Sequence, residues 1–212
     1  MKIYLIRHGR QCSKLCNVDV DLAEEGYRQA ALLGERLAGA KIEKVYSSDY
    51  LRAVQTAQTA NLYWNVEHVI DERLREISFG DMEGLSDEVI AERFCEFKKE
   101  FAKMESDMSY PNGECAADVV KRVLPVMEEV TASGCKEVAM VVHGGVIRTF
   151  VTWLLGMDLA KWRMLGNSLE NCSITELSWN PKSGYSLERF NDYAHLEAKP
   201  ELLRAAWVDA EN

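Results

Sequence analysis

Two of the four histidines in the chain, His8 and His143, follow directly on apolar runs, in "KIYLIRHG" and "EVAMVVHGG". A neutral imidazole in such a place can attack phosphorus. Each has neighbours suited to an anion. Arg7 precedes His8, and guanidinium forks grip phosphate oxygens. Gly144 and Gly145 follow His143 and open a helix, whose free amides and positive dipole end attract negative charge. In "YSSDYLRAVQTA", Arg52 falls in the first turn of a helix. A cation there opposes the helix dipole, and a bound anion would explain it. The glycine-punctuated loop "LREISFGDMEG" carries Glu76 and Glu83, and a carboxylic acid can protonate a departing oxygen. Each of these residues alone would be read as a strand terminus, a core histidine or a solvated charge. Two histidines, two arginines and a carboxylate together form a coherent set for handling a phosphoryl group. His68 and His195 have no such setting and read as ordinary surface or partly buried residues.

The elements that must position these residues alternate along the chain. Strands are expected at 2–7, 45–48, 66–70 and 137–142, with a late hairpin at 173–179 and 185–189 around "NPKSG". Helices are expected at 24–37, 50–61, 114–132 and 145–155, with Pro125 kinking or interrupting the third. Near-continuous apolar strands separated by helices imply a parallel sheet covered on both faces. The expected fold class is therefore α/β: a three-layer α/β/α sandwich with a mostly parallel central sheet and one antiparallel edge strand. In an open sheet of this kind, ligands bind beyond the carboxyl ends of the strands, which is where His8 and His143 fall.

A chain of 212 residues suits one such domain, spanning 1–212, and buries enough surface to need no staples. Net charge −9 and a pI near 5.1 argue against nucleic-acid or polybasic membrane surfaces, though not against a local cationic pocket. No apolar run reaches membrane-spanning length and no leader pattern is seen, so the expected location is the cytoplasm. Six cysteines then read as reduced thiols. Only Cys12 and Cys16 stand close together, too few for a metal site, so no metal and no cofactor are expected.

The segment at about 85–113 stands apart. "SDEVIAERFCEFKKEFAKM" places Ile90, Phe94, Phe97, Phe101 and Met104 on one helical stripe and Glu88, Glu92, Glu96 and Glu100 on another. Like charges at i,i+4 oppose the helix, so its apolar face must hold it. It is either an outer helix of the domain or a cap-like insertion over the pocket.

These blocks resemble, in order, those of the histidine phosphatase superfamily, also called phosphoglycerate-mutase-like, over about residues 3–179. "LIRHG" matches its signature, "DLAEEGYRQAALLGERL" is similar to its first helix, and "VYSSDYLRAVQTA", "LREISFGDMEG", "PNGECAADVVKRV" and "VVHGGVIR" match later blocks. The resemblance implies that His8 is the nucleophile and passes through a phosphohistidine. It implies that Arg7, Arg52 and His143 bind the phosphoryl group, and that Glu76 is the general acid and then the base for water. Asn17 and the Gly144 amide are the implied further phosphate contacts, and no metal is implied.

The sequence departs from the pattern at Arg10 and Gln11 after "RHG", at the extra residues before Asn17, at Met82, and at Cys115 in place of a serine. Arg10 adds a charge near the pocket mouth and is a candidate contact for a more anionic substrate. The implied activity is hydrolysis of a small-molecule phosphate monoester. The alternatives are mutase-type phosphoryl transfer and a catalytically silent phospholigand-binding module. The retained His8 and Glu76 weigh against the silent module, and the glutamate-led 85–113 segment weighs against the mutase. His8 is expected to be neutral and His143 cationic, their pKa values split around the usual histidine value.

Overall fold

The computed structural model describes residues 1–208. Six strands form one sheet: β1 (Lys2–Arg7), β2 (Lys44–Ser47), β3 (Glu67–Ile70), β4 (Glu137–Val142), β5 (Ile174–Asn180) and β6 (Gly184–Asp192), in the order β3-β2-β4-β1-β5-β6. β1, β2, β3 and β4 run parallel. The late hairpin β5–β6 supplies the antiparallel part, with β5 reversed against β1 and β6 forming the edge beyond it. Arg7 pairs with Val142 and Ser47 with Val141, so β1, β2 and β4 end side by side. The residues that follow them, His8, Ser48 and His143, therefore emerge at one edge.

Helices α1 (Glu24–Arg36) and α2 (Leu51–Asn61) cover one face, and α5 (Ala116–Ala132) and α6 (Gly144–Leu154) the other. The period-two alternation of the strands divides the core between them. From β1, Ile3 and Leu5 join Val123, Met127, Ile147 and Phe150, while Tyr4 and Ile6 join Ala30, Leu33, Ala53 and Ala57. Each fully buried side chain of this size contributes roughly 1.5–3 kcal/mol. The small residues on α2 let α1 come close, and a Cβ on Gly34 would meet the Ala60 backbone. The three-layer α/β/α sandwich is thus the observed architecture.

Two local expectations are corrected, the interruption at Pro125 and the single helix over 85–113. α5 runs unbroken through Pro125. The buried row Val119, Val123, Val126 and Val130, with a capping box of Cys115 and Asp118, outweighs the one backbone bond that proline removes. Residues 85–113 do not form one helix. They form two short ones, α3 (Asp87–Arg93) and α4 (Cys95–Phe101), broken at Phe94. Phe101 is buried in the core, and Phe97, Phe101, Tyr110 and Phe79 pack as a ring cluster. Burial of these rings bends the glutamate-lined segment into two, and the i,i+3 pairs Glu96–Lys99 and Glu100–Lys103 screen part of its charge. Among the described residues no helix is long and apolar enough to cross a membrane.

Candidate active site

His8 leaves the end of β1 and is 5% exposed. Its backbone is pinned on both sides. The His8 amide donates to the Val142 carbonyl (3.0 Å), and its carbonyl accepts from Asn171 Nδ2 (2.8 Å). Gly9 must be glycine, because a Cβ there would lie 2.7 Å from the Gly26 carbonyl oxygen of α1. The Gly9 amide donates to Thr56 Oγ1 on α2 (2.9 Å). In the ring, Nδ1 lies 2.7 Å from the Gly9 carbonyl oxygen. A carbonyl can only accept, so Nδ1 carries the proton and Nε2 presents its lone pair.

His143 ends β4 and is fully buried, its ring 5.1 Å from that of His8. Its Nε2 is 2.8 Å from Ser48 Oγ, and its Nδ1 is buried without a partner. Ser48 Oγ accepts from the Tyr50 amide (3.2 Å), and among the described residues His143 Nε2 is the one acceptor its hydroxyl proton reaches. Nδ1 of His143 then carries the other proton and has nothing in the protein to give it to. Arg7 and Arg52 show the same pattern, each with a buried Nε that lacks a partner. Arg7 Nη1 donates to the Leu169 carbonyl and to Ser168 Oγ. Arg52, 2% exposed, donates to the Val18 carbonyl (2.7 Å) and to Asn17 Oδ1 (2.8 Å), with its guanidinium 4.7 Å from the Tyr50 ring centre. Three buried N–H groups without acceptors are costly unless an anion supplies them.

Burial, reinforced by the Arg52 and Arg7 charges, holds His8 well below the ordinary histidine pKa. Burial and the Arg52 charge, with His8, Arg122 and Arg7 adding to them, do the same to His143. The expected split is therefore corrected: without a ligand both imidazoles are neutral, because two desolvated arginines already occupy the site. Burial also pulls Arg7 down to about 9.

Glu76 sits beside this cluster, at the start of α6. Its Oε1 accepts from the Ile77 amide (2.9 Å) and the Val146 amide (3.3 Å), and its Oε2 from the Gly145 amide (3.2 Å). The anion-attracting helix start thus holds a carboxylate of the protein. Gly145 is required there, since a Cβ would lie 2.4 Å from Glu76 Oε1. Gly144, the first residue of α6, is open toward Arg7, whose Nε would be 3.6 Å from an added Cβ. The Glu76 carbonyl and the Arg73 carbonyl accept from Arg122, itself held by Glu114. Glu83 accepts from Asn17 Nδ2, Ser78 Oγ and the Phe79 amide, so it ties the loop together. A cleft of about 380 Å³ opens beside Glu76, between Tyr50, Arg75, Ser78 and Glu83.

The structure therefore brings His8, Arg7, Arg52, His143, Glu76 and Gly144 to one place. Asn17 is there too, in a left-handed conformation (φ 47°), with its amide spent on Arg52 and Glu83. Arg10 turns to α1, its guanidinium 3.0 Å from Glu25 Oε1 and its amide on Gln29. Ser48, Tyr50, Thr56 and Asn171 escaped sequence reasoning as site residues. Ser48 and Tyr50 lie within "YSSDYLRAVQTA", but nothing in their types marks a hydroxyl as the partner of a histidine 95 residues away. Asn171 carries no signal, because its role depends on the register of β5.

The chain is 28% identical over 217 residues, 96% of its length and 100% of the relative's, to a Yersinia pestis protein named "Probable phosphoglycerate mutase GpmB". The mycobacterial glucosyl-3-phosphoglycerate phosphatase Rv2419c, solved with inorganic phosphate, superposes with a TM-score of 0.81 at 29% identity, over 92% of this chain and 98% of that one. An Entamoeba histolytica phosphoserine phosphatase solved with phosphoserine gives a TM-score of 0.78 at 26% identity, over 92% and 98%. Residues 3–193 match the model of the histidine phosphatase superfamily (branch 1), and the chain belongs to that superfamily.

Proposed function

We propose that this phosphatase hydrolyses its phosphate monoesters through a phosphohistidine on His8. The observation that carries the proposal is the free Nε2 of His8 amid three buried N–H groups without acceptors, on Arg7, Arg52 and His143. A phosphoryl group placed among them supplies all three acceptors at once. The Gly144 amide is a fourth donor at the same place. Because Arg7 and Arg52 are fixed by other residues, they meet the charge of the transition state without rearranging. Asn17 acts by orienting Arg52, and Arg10 by fastening the loop to α1.

In the first step the Nε2 lone pair of His8 attacks phosphorus and the bond from phosphorus to the ester oxygen breaks. Protonated Glu76 gives its proton to that oxygen, and the alcohol departs. The Gly9 carbonyl, on the Nδ1 proton, favours the imidazolium that results. In the second step Glu76 takes a proton from water, the water oxygen attacks phosphorus, and the bond from nitrogen to phosphorus breaks. Inorganic phosphate leaves, the electron pair returns to Nε2, and Glu76 is again protonated. The cationic side chains supply the charge that metal ions supply elsewhere, so the proposed reaction needs no metal. In this reading the chain is one domain, residues 85–113 are its cap-like insertion, and the protein works in the cytoplasm.

The name of the Yersinia relative favours mutase transfer as a second reading. Against it, the 85–113 segment is led by glutamates and lacks a basic block to hold a second phosphate. A panel of phosphate monoesters, with phosphate release measured beside an enolase-coupled mutase assay, separates the two. Release should exceed interconversion of 2- and 3-phosphoglycerate even with bisphosphate primer. Primer-dependent interconversion faster than release would overturn the phosphatase reading.

A further inference from the structure

Glu76 belongs to no helix or strand, so no ladder of backbone bonds holds it where a proton donor must stand. Two amides of α6 support its carboxylate. The hold on its main chain comes from α5. Arg122 Nη2 donates to the Glu76 carbonyl (3.1 Å), and Arg122 Nη1 donates to the Arg73 carbonyl (2.6 Å). Glu114 grips the same guanidinium side-on, with Nε 2.8 Å from Oε1 and Nη2 2.9 Å from Oε2. Glu114 also accepts from the Ser78 amide (2.9 Å), and its own amide donates to the Ser78 carbonyl (3.0 Å). Main-chain groups at Arg73, Glu76 and Ser78 are thus tied to one guanidinium–carboxylate pair.

Glu114 and Arg122 both fall within "PNGECAADVVKRV", a block to which the reaction itself gives no role. An exposed ion pair contributes little, but a bidentate, partly buried fork with two further acceptors fixes geometry. Among the described residues, Arg122 makes no hydrogen bond to His8, Arg7, Arg52 or His143; its bonds go to Glu114 and to this loop. We propose that Arg122, held square by Glu114, is the positioning residue of the general acid: it fixes the Glu76 backbone so that the carboxyl resting on α6 faces the leaving oxygen. This rests on the phosphatase reading, with Glu76 as proton donor, and deepens it. The planar fork is what matters, because a single ammonium cannot span a carboxylate and two carbonyls in these directions. Loss of the fork lets the loop drift and carries the proton away from the ester oxygen, while the groups that bind the phosphoryl oxygens stay in place.

The test is a double-mutant cycle between Arg122→Lys and Glu76→Gln, read as kcat/KM on glycerol 3-phosphate and on p-nitrophenyl phosphate. Lysine keeps the charge that acts on His143 and loses the fork. Arg122→Lys alone should lower kcat/KM on glycerol 3-phosphate by about tenfold or more, as a proton donor displaced by a fraction of an ångström would. On p-nitrophenyl phosphate, whose leaving group needs little protonation, the loss should be about threefold at most. In the Glu76→Gln background the same substitution should add no more than about twofold on either ester, since the group it positions is gone. Inhibition by inorganic phosphate, which probes Arg7, Arg52 and His143, should stay within about twofold of wild type. Glu114→Gln should give the same pattern more weakly, and it keeps the test open if a thermal melt shows Arg122→Lys unfolded. Equal losses on the two esters, a full further loss in the Glu76→Gln background, or wild-type kinetics in both variants overturns this inference alone. Unfolding of both variants overturns it too, since the pair would then serve the fold. Release of phosphate from neither ester by the wild type overturns the phosphatase reading and this inference with it.

Discussion

Gly145→Ala separates the chemistry of the site from the fold that carries it. The new Cβ would lie 2.4 Å from Glu76 Oε1, 2.7 Å from Ile77 Cγ2 and 3.2 Å from Glu76 Cδ. Ordinary contact begins near 3.4 Å, so the carboxylate must retreat by roughly 1 Å, a misplacement that can cost a factor of about 10². No backbone atom is among these nearest neighbours, so α6 can keep its place. Alanine within a helix gains roughly 0.5–1 kcal/mol over glycine, which offsets part of the weakened bonds from Gly145 and Val146 to Glu76. The expected variant is folded, with a melting temperature within a few degrees of wild type. Its kcat on alkyl phosphates should fall about 10²-fold, within the range for loss of a general acid. On p-nitrophenyl phosphate, whose leaving group needs little protonation, the loss should be several-fold at most. Steady-state kinetics on the two ester classes, beside a thermal melt, reads all of this. Equal losses on both classes, or none on either, would refute the assignment of Glu76 as proton donor from this position.

Two further predictions follow from the histidines. Ser48→Ala removes the one partner of His143 Nε2 in a fully buried place, and should cost about 1–3 kcal/mol of stability together with activity on good and poor leaving groups alike. Wild-type kinetics in a stable Ser48→Ala protein would show that the hydroxyl does not set the His143 tautomer. All four histidines are held below their ordinary pKa by burial, so the unfolded chain binds more protons than the native one once the pH falls below about 6.5. Their contribution to stability is therefore intact above that value and erodes as the pH drops toward their folded-state pKa values. Imidazole NMR signals of His8 and His143 in the ligand-free protein should show no midpoint near 6.5, and a midpoint there or above would contradict the neutral pair.

The fold could be read closely from the sequence because its strands are short apolar runs and its helices carry clear stripes. The late hairpin, the end of β1 at Arg7 and the end of β4 at Val142 all came from local pattern. Pro125 and the 85–113 segment misled for one reason: tertiary burial overrode local preference. The row of valines on α5 carries the helix through a proline, and the Phe97–Phe101–Tyr110 cluster breaks what periodicity reads as a single helix. At the site, residues that sit at strand ends or helix starts announced themselves by type. Ser48 and Asn171 did not, because a hydroxyl and an amide acquire their roles only when the register sets them beside a histidine. Arg10 shows the converse, since its charge suggested a substrate and its geometry gives it Glu25.

The most direct measurement of the central claim is rapid-quench trapping of the phosphoenzyme with a labelled monoester, followed by peptide mapping. The label should be acid-labile and stable to base, should sit on the peptide containing His8, and should be absent from His8→Ala. An acid-stable label, or one on a serine, cysteine or aspartate, would contradict the account.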